Sequence, residues 1–283
     1  MHRLDLHGTS LIVTGGTQGI GLTTVDTALE AGASVTVCAR TVADVTRVLE
    51  SRQGKSIDGI AADVSRPDDV RALFSHATER FGKVDGVIHA AAVIGPIGRV
   101  GDVEADAWWN CVRVDLFGTF LIVAEACRLM EGRGGRIVLF SGGGATTPFP
   151  RYSAYASSKV AVARLVESVA LEYAGSGIEI NAVAPGFVAT RMHDATLAAG
   201  SSAGDDYLDR TRVELAGGGV SPEVGARCAC FLASRAASSI TGKIIAAPWD
   251  DWEHLPQRLP LIVGTDIFTL RRIVPRDRGH DWQ

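Results

Sequence analysis

At 283 residues, 46 % of them hydrophobic and 21 % charged, the chain holds enough apolar material for one large core, and this composition excludes a disordered or collagen-like protein. A formal charge of −4 leaves no basic footprint for nucleic acid, whose binding depends on clustered Lys and Arg that neutralise phosphates. The opening MHRLDLHGTS lacks the apolar centre of a signal peptide and no apolar run nears the roughly 18 residues that span a bilayer, so a cytoplasmic protein without a membrane partner is expected.

From residue 9 onward short β-branched runs alternate with longer helical patterns, the signature of βαβ units feeding a parallel sheet. The predicted strands are 10–14, 34–39, 57–62, 86–91, 136–141, 178–184 and 243–247. Between the fifth and sixth, residues 152–174 form the clearest helix: Val162, Leu165, Val166, Val169, Ala170 and Tyr173 recur at the spacing of one apolar stripe, and Gly175 and Gly177 end it. Residues 191–220, rich in small side chains and without a strand pattern, read as a mobile flap. The expected architecture is α/β: a Rossmann fold, with a doubly wound seven-stranded parallel sheet between two layers of helices and ligands at the carboxyl ends of the strands. Residues 1–247 are read as one such domain. Residues 248–283, rich in Trp, Pro and Arg, are an extension that packs on the domain or at a subunit interface; alternatively Trp249, Trp252 and Trp282 with Arg271, Arg272, Arg276 and Arg278 clamp an anionic substrate.

The five cysteines are scattered and odd in number, which fits free thiols better than a disulfide framework. Cys228 and Cys230 point in different directions on a helix, and no His or second Cys pair completes a site, so no metal is expected.

The first strand runs straight into TGGTQGIG, Thr14 to Gly21, with a helix following at once. Glycines here permit a tight turn and close approach of backbone to a pyrophosphate, while the helix N-terminus offers free N–H groups to the anion. Gly15, Thr17, Gln18, Gly19, Ile20 and Gly21 are therefore the candidate cofactor residues. The second strand ends at Ala39, Arg40 and Thr41, where a preference for the non-phosphorylated cofactor usually brings an acidic residue to the ribose 2′-hydroxyl. Arg40 instead offers a planar donor fork suited to a 2′-phosphate, which favours NADP(H) over NAD(H); a solvated arginine at a strand end is the plainer alternative. Asp63, after the third strand, either accepts from the adenine amino group or caps the turn before Pro67.

Tyr155 and Lys159 stand four apart on the long helix, one turn from each other on one face. A phenol titrating near 10 is a poor acid or base at neutral pH unless a cation stabilises its anion, and the lysine is placed to supply that cation.

With TGGTQGIG, the Asp63-Val64 pair, Tyr155-x-x-x-Lys159 in SAYASSK and NAVAPGFVAT (Asn181 to Thr190), the chain resembles the short-chain dehydrogenase/reductase family over about residues 5–247. The resemblance implies a small-molecule alcohol or carbonyl substrate and hydride exchange with a nicotinamide cofactor. It implies that Tyr155 moves the proton at the substrate oxygen, and that Lys159 lowers the phenol pKa and holds the nicotinamide ribose. It also implies that Pro185, Gly186, Val188 and Thr190 contact the nicotinamide amide and phosphates, and that the protein is a homo-oligomer, dimer or tetramer.

Departures from the family pattern bear on function. Its Asn-Asn-Ala-Gly after the fourth strand appears as His89-Ala90-Ala91-Ala92, so the cofactor-side segment has lost its amides. His89 itself reads as a packed histidine. The asparagine of the proton relay is replaced by Asp115, either a relay carboxylate beside Lys159 or a carboxylate bound to local backbone. The family serine stands thirteen residues before the tyrosine; Gly142 occupies that position, with Ser141 one step earlier. Loss of one such donor costs on the order of 100-fold in rate. Ser141 swings into place, backbone N–H groups of the GGG run substitute, or turnover is lost. Two rivals to a dehydrogenase or reductase follow: a catalytically impaired dinucleotide-binding sensor or scaffold, and a sugar-modifying member of the same family.

Overall fold

The computed structural model describes residues 4–282. Its sheet is built from strands whose side chains are apolar on both faces, because helices cover both. The strands are β1 (Ser10–Thr14), β2 (Ser34–Ala39), β3 (Ile57–Ala61), β4 (Gly86–His89), β5 (Gly135–Phe140), β6 (Ile178–Ala184) and β7 (Lys243–Ala246). They pair in parallel throughout, in the order β3-β2-β1-β4-β5-β6-β7. The order reverses between β1 and β4, which opens a crevice at their carboxyl ends.

Helices α1 (Gly19–Glu30), α2 (Val42–Glu50), α3 (Pro67–Phe81) and α4 (Ala105–Val112) come first. A π-helical turn, Arg113–Phe117, joins α4 to α5 (Gly118–Met130), and α6 (Ser153–Glu172) follows β5. After β6 come α7 (Met192–Ala199), α8 (Asp205–Ala216) and α9 (Pro222–Leu232). One buried layer joins α1, α2 and α9 to the sheet through Val25, Ala28, Val45, Val48 and Phe231. The opposite layer joins α3, α5 and α6 through Leu73, Phe74, Ile122, Met130, Val162 and Val166. The architecture is thus the expected seven-stranded parallel sheet between two helical layers.

One region differs from the sequence expectation, and the extension does not gather its Trp and Arg side chains as the alternative of an anion clamp would need. Residues 191–220 contain α7 and α8, whose buried side chains are few, Thr196 on α7 and Leu208 and Thr211 on α8, so their periodicity is weak. The tryptophans and arginines of the extension do not converge. Trp252 packs on Phe231 at 5.3 Å between ring centroids and donates from Nε1 to Ala247 O at 3.1 Å. Trp249 and Trp282 are exposed, and Arg271 is paired with Asp266 and Asp277.

From Trp252 the chain buries Leu255 and Ile262 and then crosses the free edge of β7. There Ile244 N–H donates to Phe268 O at 2.8 Å, and the buried Lys243 donates from Nζ to Thr265 O and Ile267 O. An unpaired strand edge is a template for aggregation, and this return of the chain covers it. All five cysteines are buried free thiols, and no helix among the described residues is long and apolar enough to cross a membrane.

Replacing Trp252 with alanine removes an aromatic side chain that is 8 % exposed together with its hydrogen bond. A loss of about 3–5 kcal/mol in unfolding free energy is expected, read from urea denaturation. A loss under about 1 kcal/mol would mean that the extension merely adheres to the domain.

Candidate active site

The crevice at the β1/β4 reversal is a cleft of about 460 Å³. Gly15, Thr17, Gln18, Gly19, Ile20 and Gly21 form one wall, Arg40, Thr41, Asp63 and Val64 a second, and Ala90, Ala91, Ala92 and Thr190 a third. Its tightest point is backbone against backbone. A Cβ on Gly15, at φ +64°, would stand 2.8 Å from Ala91 N, so only glycine leaves this floor open. At the head of α1 the first intrahelical bond is Leu22 N–H to Gln18 O, which leaves the N–H groups of Gly19, Ile20 and Gly21 for an anion. A dinucleotide pyrophosphate fits this donor set.

The cleft also takes in Ala39, Asp44, Ala62, Val93, Val114, Ala189, Arg191 and Met192, which sequence reasoning missed. Asp44 carries no motif, and Arg191 and Met192 lie in the stretch read as a flap. Arg40 is exposed, and neither it nor Arg191 pairs with a carboxylate among the described residues. Asp63 caps its own turn: Oδ1 accepts from Ser65 N–H at 2.9 Å and from Ser65 Oγ at 2.7 Å. Burial raises its pKa, but these bonds outweigh it and hold the carboxyl below its ordinary value.

Tyr155, Lys159, Pro185, Gly186 and Val188 lie outside the lining of that cleft. Tyr155 and Lys159 are both buried on α6, with Lys159 Nζ 5.4 Å from the centre of the phenol ring. Lys159 donates to Phe140 O at 3.1 Å, at the end of β5. Against the phenol hydroxyl lies Gly142, whose Cβ, if present, would meet Tyr155 Oη at 2.2 Å. Beyond it stands an aromatic wall. Phe149 stacks on Tyr152 at 4.2 Å, Tyr207 meets both edge-on, and Phe149 stands edge-on to Tyr155 at 6.4 Å. Gly186, at φ +79°, is packed by Pro248 and Val220 with Trp249 beside them, and Pro185 touches α9 at Gly225. Val188 is buried and bridges to Gly219.

Residues 9–199 match the family model described as short chain dehydrogenase. That match spans more than half of the chain and carries the glycine loop and the Tyr155/Lys159 helix. The chain belongs to the short-chain dehydrogenase family.

Relatives run along nearly its whole length. A 3beta-hydroxysteroid dehydrogenase of Mediterraneibacter gnavus is 31 % identical over 255 residues, 84 % of this chain and 92 % of that one. Versicolorin reductase 1 of Dothistroma septosporum is 34 % identical over 254 residues, 86 % and 95 % of the two. Among solved structures, a variant actinorhodin polyketide ketoreductase with NADPH superposes with a TM-score of 0.78 at 27 % identity, covering 84 % of this chain and 95 % of its own. This short-chain dehydrogenase is accordingly an oxidoreductase for a small molecule, working with a nicotinamide dinucleotide.

The departures from the family pattern sit together behind Tyr155. Asp115, on the π-helical turn, is 1 % exposed; its Oδ1 accepts from Val93 N–H at 2.8 Å, while Oδ2 is buried with no hydrogen-bond partner. Burial raises its pKa to about 6 against the opposing pull of the Lys159 ammonium and the Val93 N–H. His89 is a packed histidine: it shares a 2.7 Å hydrogen bond with Thr14 Oγ1 through Nδ1, and burial followed by the Lys159 charge pushes its pKa down to about 3. It is neutral at any working pH. Ser141 Oγ is buried without a partner and makes no bond to Tyr155 or Lys159. Burial first and then the Asp115 carboxylate push the Tyr155 pKa above its ordinary value. Among the described residues no group of three or more His, Cys, Asp or Glu is placed to hold a metal ion.

Asp115 makes stability depend on pH. The folded chain holds this proton more tightly than the unfolded chain, so the contribution to stability is greatest below pH 4 and falls as pH rises from about 4 to 6. Asp115→Asn removes that slope. Unfolding free energies of variant and wild type are expected to diverge in the variant's favour by about 3 kcal/mol between pH 4 and pH 7. A difference that does not change with pH would contradict the buried carboxylate's role.

Proposed function

We propose that this enzyme reduces a ketone on an apolar, ring-bearing small molecule to the secondary alcohol, with NADPH as cofactor and Tyr155 as proton donor. The observation that carries this reading is the Tyr155 hydroxyl itself: buried, protonated at neutral pH, one turn from Lys159 and faced by Phe149. A bound nicotinamide dinucleotide supplies the hydride. Everything else falls to the chain. Tyr155 Oη donates its proton to the substrate oxygen, and Lys159, fixed by Phe140 O, supplies positive charge behind the phenol as its anion forms. Asp115 accepts on Oδ2 in the relay that restores the phenol proton.

In the direction of reduction the phenol acts as the acid, and in the reverse direction the phenolate acts as the base. The wall of Phe149, Tyr152 and Tyr207 carries no charge, which favours an uncharged, flat substrate over a phosphorylated sugar. The relatives named for a hydroxysteroid, for versicolorin and for a polyketide support the same class. NADPH is favoured over NADH because Arg40 stands exposed at the cleft, beside Asp63, with its guanidinium open to a 2′-phosphate. Trp109, Phe117, Phe120 and Val160 leave exposed apolar surface on α4, the π-helical turn, α5 and α6, which supports a homo-oligomer. The missing hydroxyl at Gly142 favours one alternative, a dinucleotide-binding sensor without turnover.

NADPH oxidation with a panel of cyclohexanone, 2-tetralone and a 3-ketosteroid decides between them. The enzyme is expected to reduce 2-tetralone or the steroid, and Tyr155→Phe to lower kcat by about 100-fold or more with NADPH affinity within threefold of wild type. NADPH that raises the melting temperature without oxidation by any ketone would establish the sensor. Arg40→Ala is expected to weaken NADPH by about tenfold and leave NADH unchanged, read by fluorescence titration. Equal losses for both cofactors would remove the 2′-phosphate assignment.

A further inference from the structure

The substrate oxygen needs a second hydrogen-bond donor beside Tyr155, and the side chain that resemblance to the family leads one to expect is absent, since Gly142 holds its position. Ser141 does not replace it. Its N–H is committed to Val183 O at 2.8 Å, which continues the β5 ladder by one residue. Side chains alternate along a strand, so Ser141 projects to the same face as Ile137 and Leu139, and its Oγ is closed off in the interior. Swinging it toward the phenol would break the ladder bond.

The backbone offers what the side chains lack. The flanking N–H groups are occupied, Ser141 by Val183 O and Ala145 by Gly142 O at 3.2 Å. Between them the N–H groups of Gly142, Gly143 and Gly144 donate to no acceptor among the described residues. Gly142 lies beside the reacting hydroxyl, since a Cβ there would stand 2.2 Å from Tyr155 Oη and 3.1 Å from its Cζ, and Gly143 follows against the Phe149 ring. The run is also held in shape. Gly144 adopts φ +88°, and a Cβ there would stand 2.5 Å from Ala156 Cβ on α6, so only glycine permits this close seat on the catalytic helix.

We propose that the backbone N–H groups of the run Gly142–Gly144 form the donor cradle for the substrate carbonyl oxygen, in place of a serine hydroxyl. The inference rests on the reading of the site as a ketone reductase. As hydride reaches the carbonyl carbon, the carbon–oxygen π pair moves onto oxygen, which takes the proton of Tyr155 Oη. The reduced nicotinamide is oxidised and the ketone reduced. The peptide N–H groups transfer no proton; they donate hydrogen bonds to the charge that builds on oxygen, and fixed backbone dipoles do so without reorganising.

The test uses NADPH and the panel ketone that is reduced fastest. Ser141→Ala is expected to keep kcat within threefold. Gly142→Ser is expected to lower kcat by tenfold or more, because its side chain displaces the phenol. In ¹⁵N-glycine-labelled wild type, the same ketone with NADP⁺ is expected to move amide protons of the run downfield, which requires no turnover. A loss of 100-fold in Ser141→Ala, a gain in kcat from Gly142→Ser, or glycine amides that do not respond would each overturn the cradle. The two levels separate through Tyr155→Phe: full activity there removes the reductase reading, whereas an inactive Tyr155→Phe with an equally inactive Ser141→Ala removes the cradle alone.

Discussion

A lysine ammonium that is only 4 % exposed has to be compensated by the chain around it, and three segments face Lys159 with groups that favour its charge. The end of β5 gives the Phe140 carbonyl, the π-helical turn gives the Asp115 carboxylate, and α6 itself gives the phenol ring. The widened turn matters because it carries Asp115 to the loop after β4, where Val93 N–H fixes one carboxylate oxygen and leaves the other free. His89 tolerates the ammonium because Thr14 and burial keep it uncharged. The arrangement places a negative group behind the phenol, so the proton of Tyr155 is held more firmly than its spacing to lysine suggests.

Both reactive surfaces are made of peptide rather than side chain. At the dinucleotide cleft Gly15 lies against Ala91, and any Cβ there would occupy the floor. At the phenol, Gly142 lies against Oη in the same way. Backbone donors have one orientation and lose no rotamer entropy when they bind, which suits a site for an oxygen that gains charge only during reaction. The dependence on glycine is the cost of this, since a methyl group at either point has nowhere to go.

How much of this was legible in the sequence follows from how local each feature is. The seven strands were, to within two residues, because most are runs of β-branched and apolar residues buried on both faces, the edge strand β3 with Asp58 and Gly59 being the weakest. The glycine loop, Asp63 and the three alanines were also readable, as each is a contiguous motif at a strand end. Asp44, Arg191 and Met192 were not, since only the folded chain brings their elements to one cleft. The direction of Ser141 depends on strand parity, and a shift of one residue in the predicted end of β5 hides it. The raised proton affinity of Tyr155 comes from burial and from Asp115, forty residues away, which no four-residue spacing reveals.

The surroundings of Tyr155 come in part from segments that carry no motif. Tyr155 is 7 % exposed, and the side chains around it include Met192, Ala199, Ala203 and Tyr207, all contributed by the stretch between β6 and α9. That stretch is held down by the buried bond from Tyr152 Oη to Thr196 Oγ1 at 3.0 Å and by the edge-on contacts of Tyr207. Gly200 and Gly204, both at positive φ, bracket the short 3-10 turn that separates α7 from α8. A ligand placed against the phenol would displace part of these aromatic contacts. An apolar, flat molecule restores the buried area it displaces, and a strongly hydrated one does not.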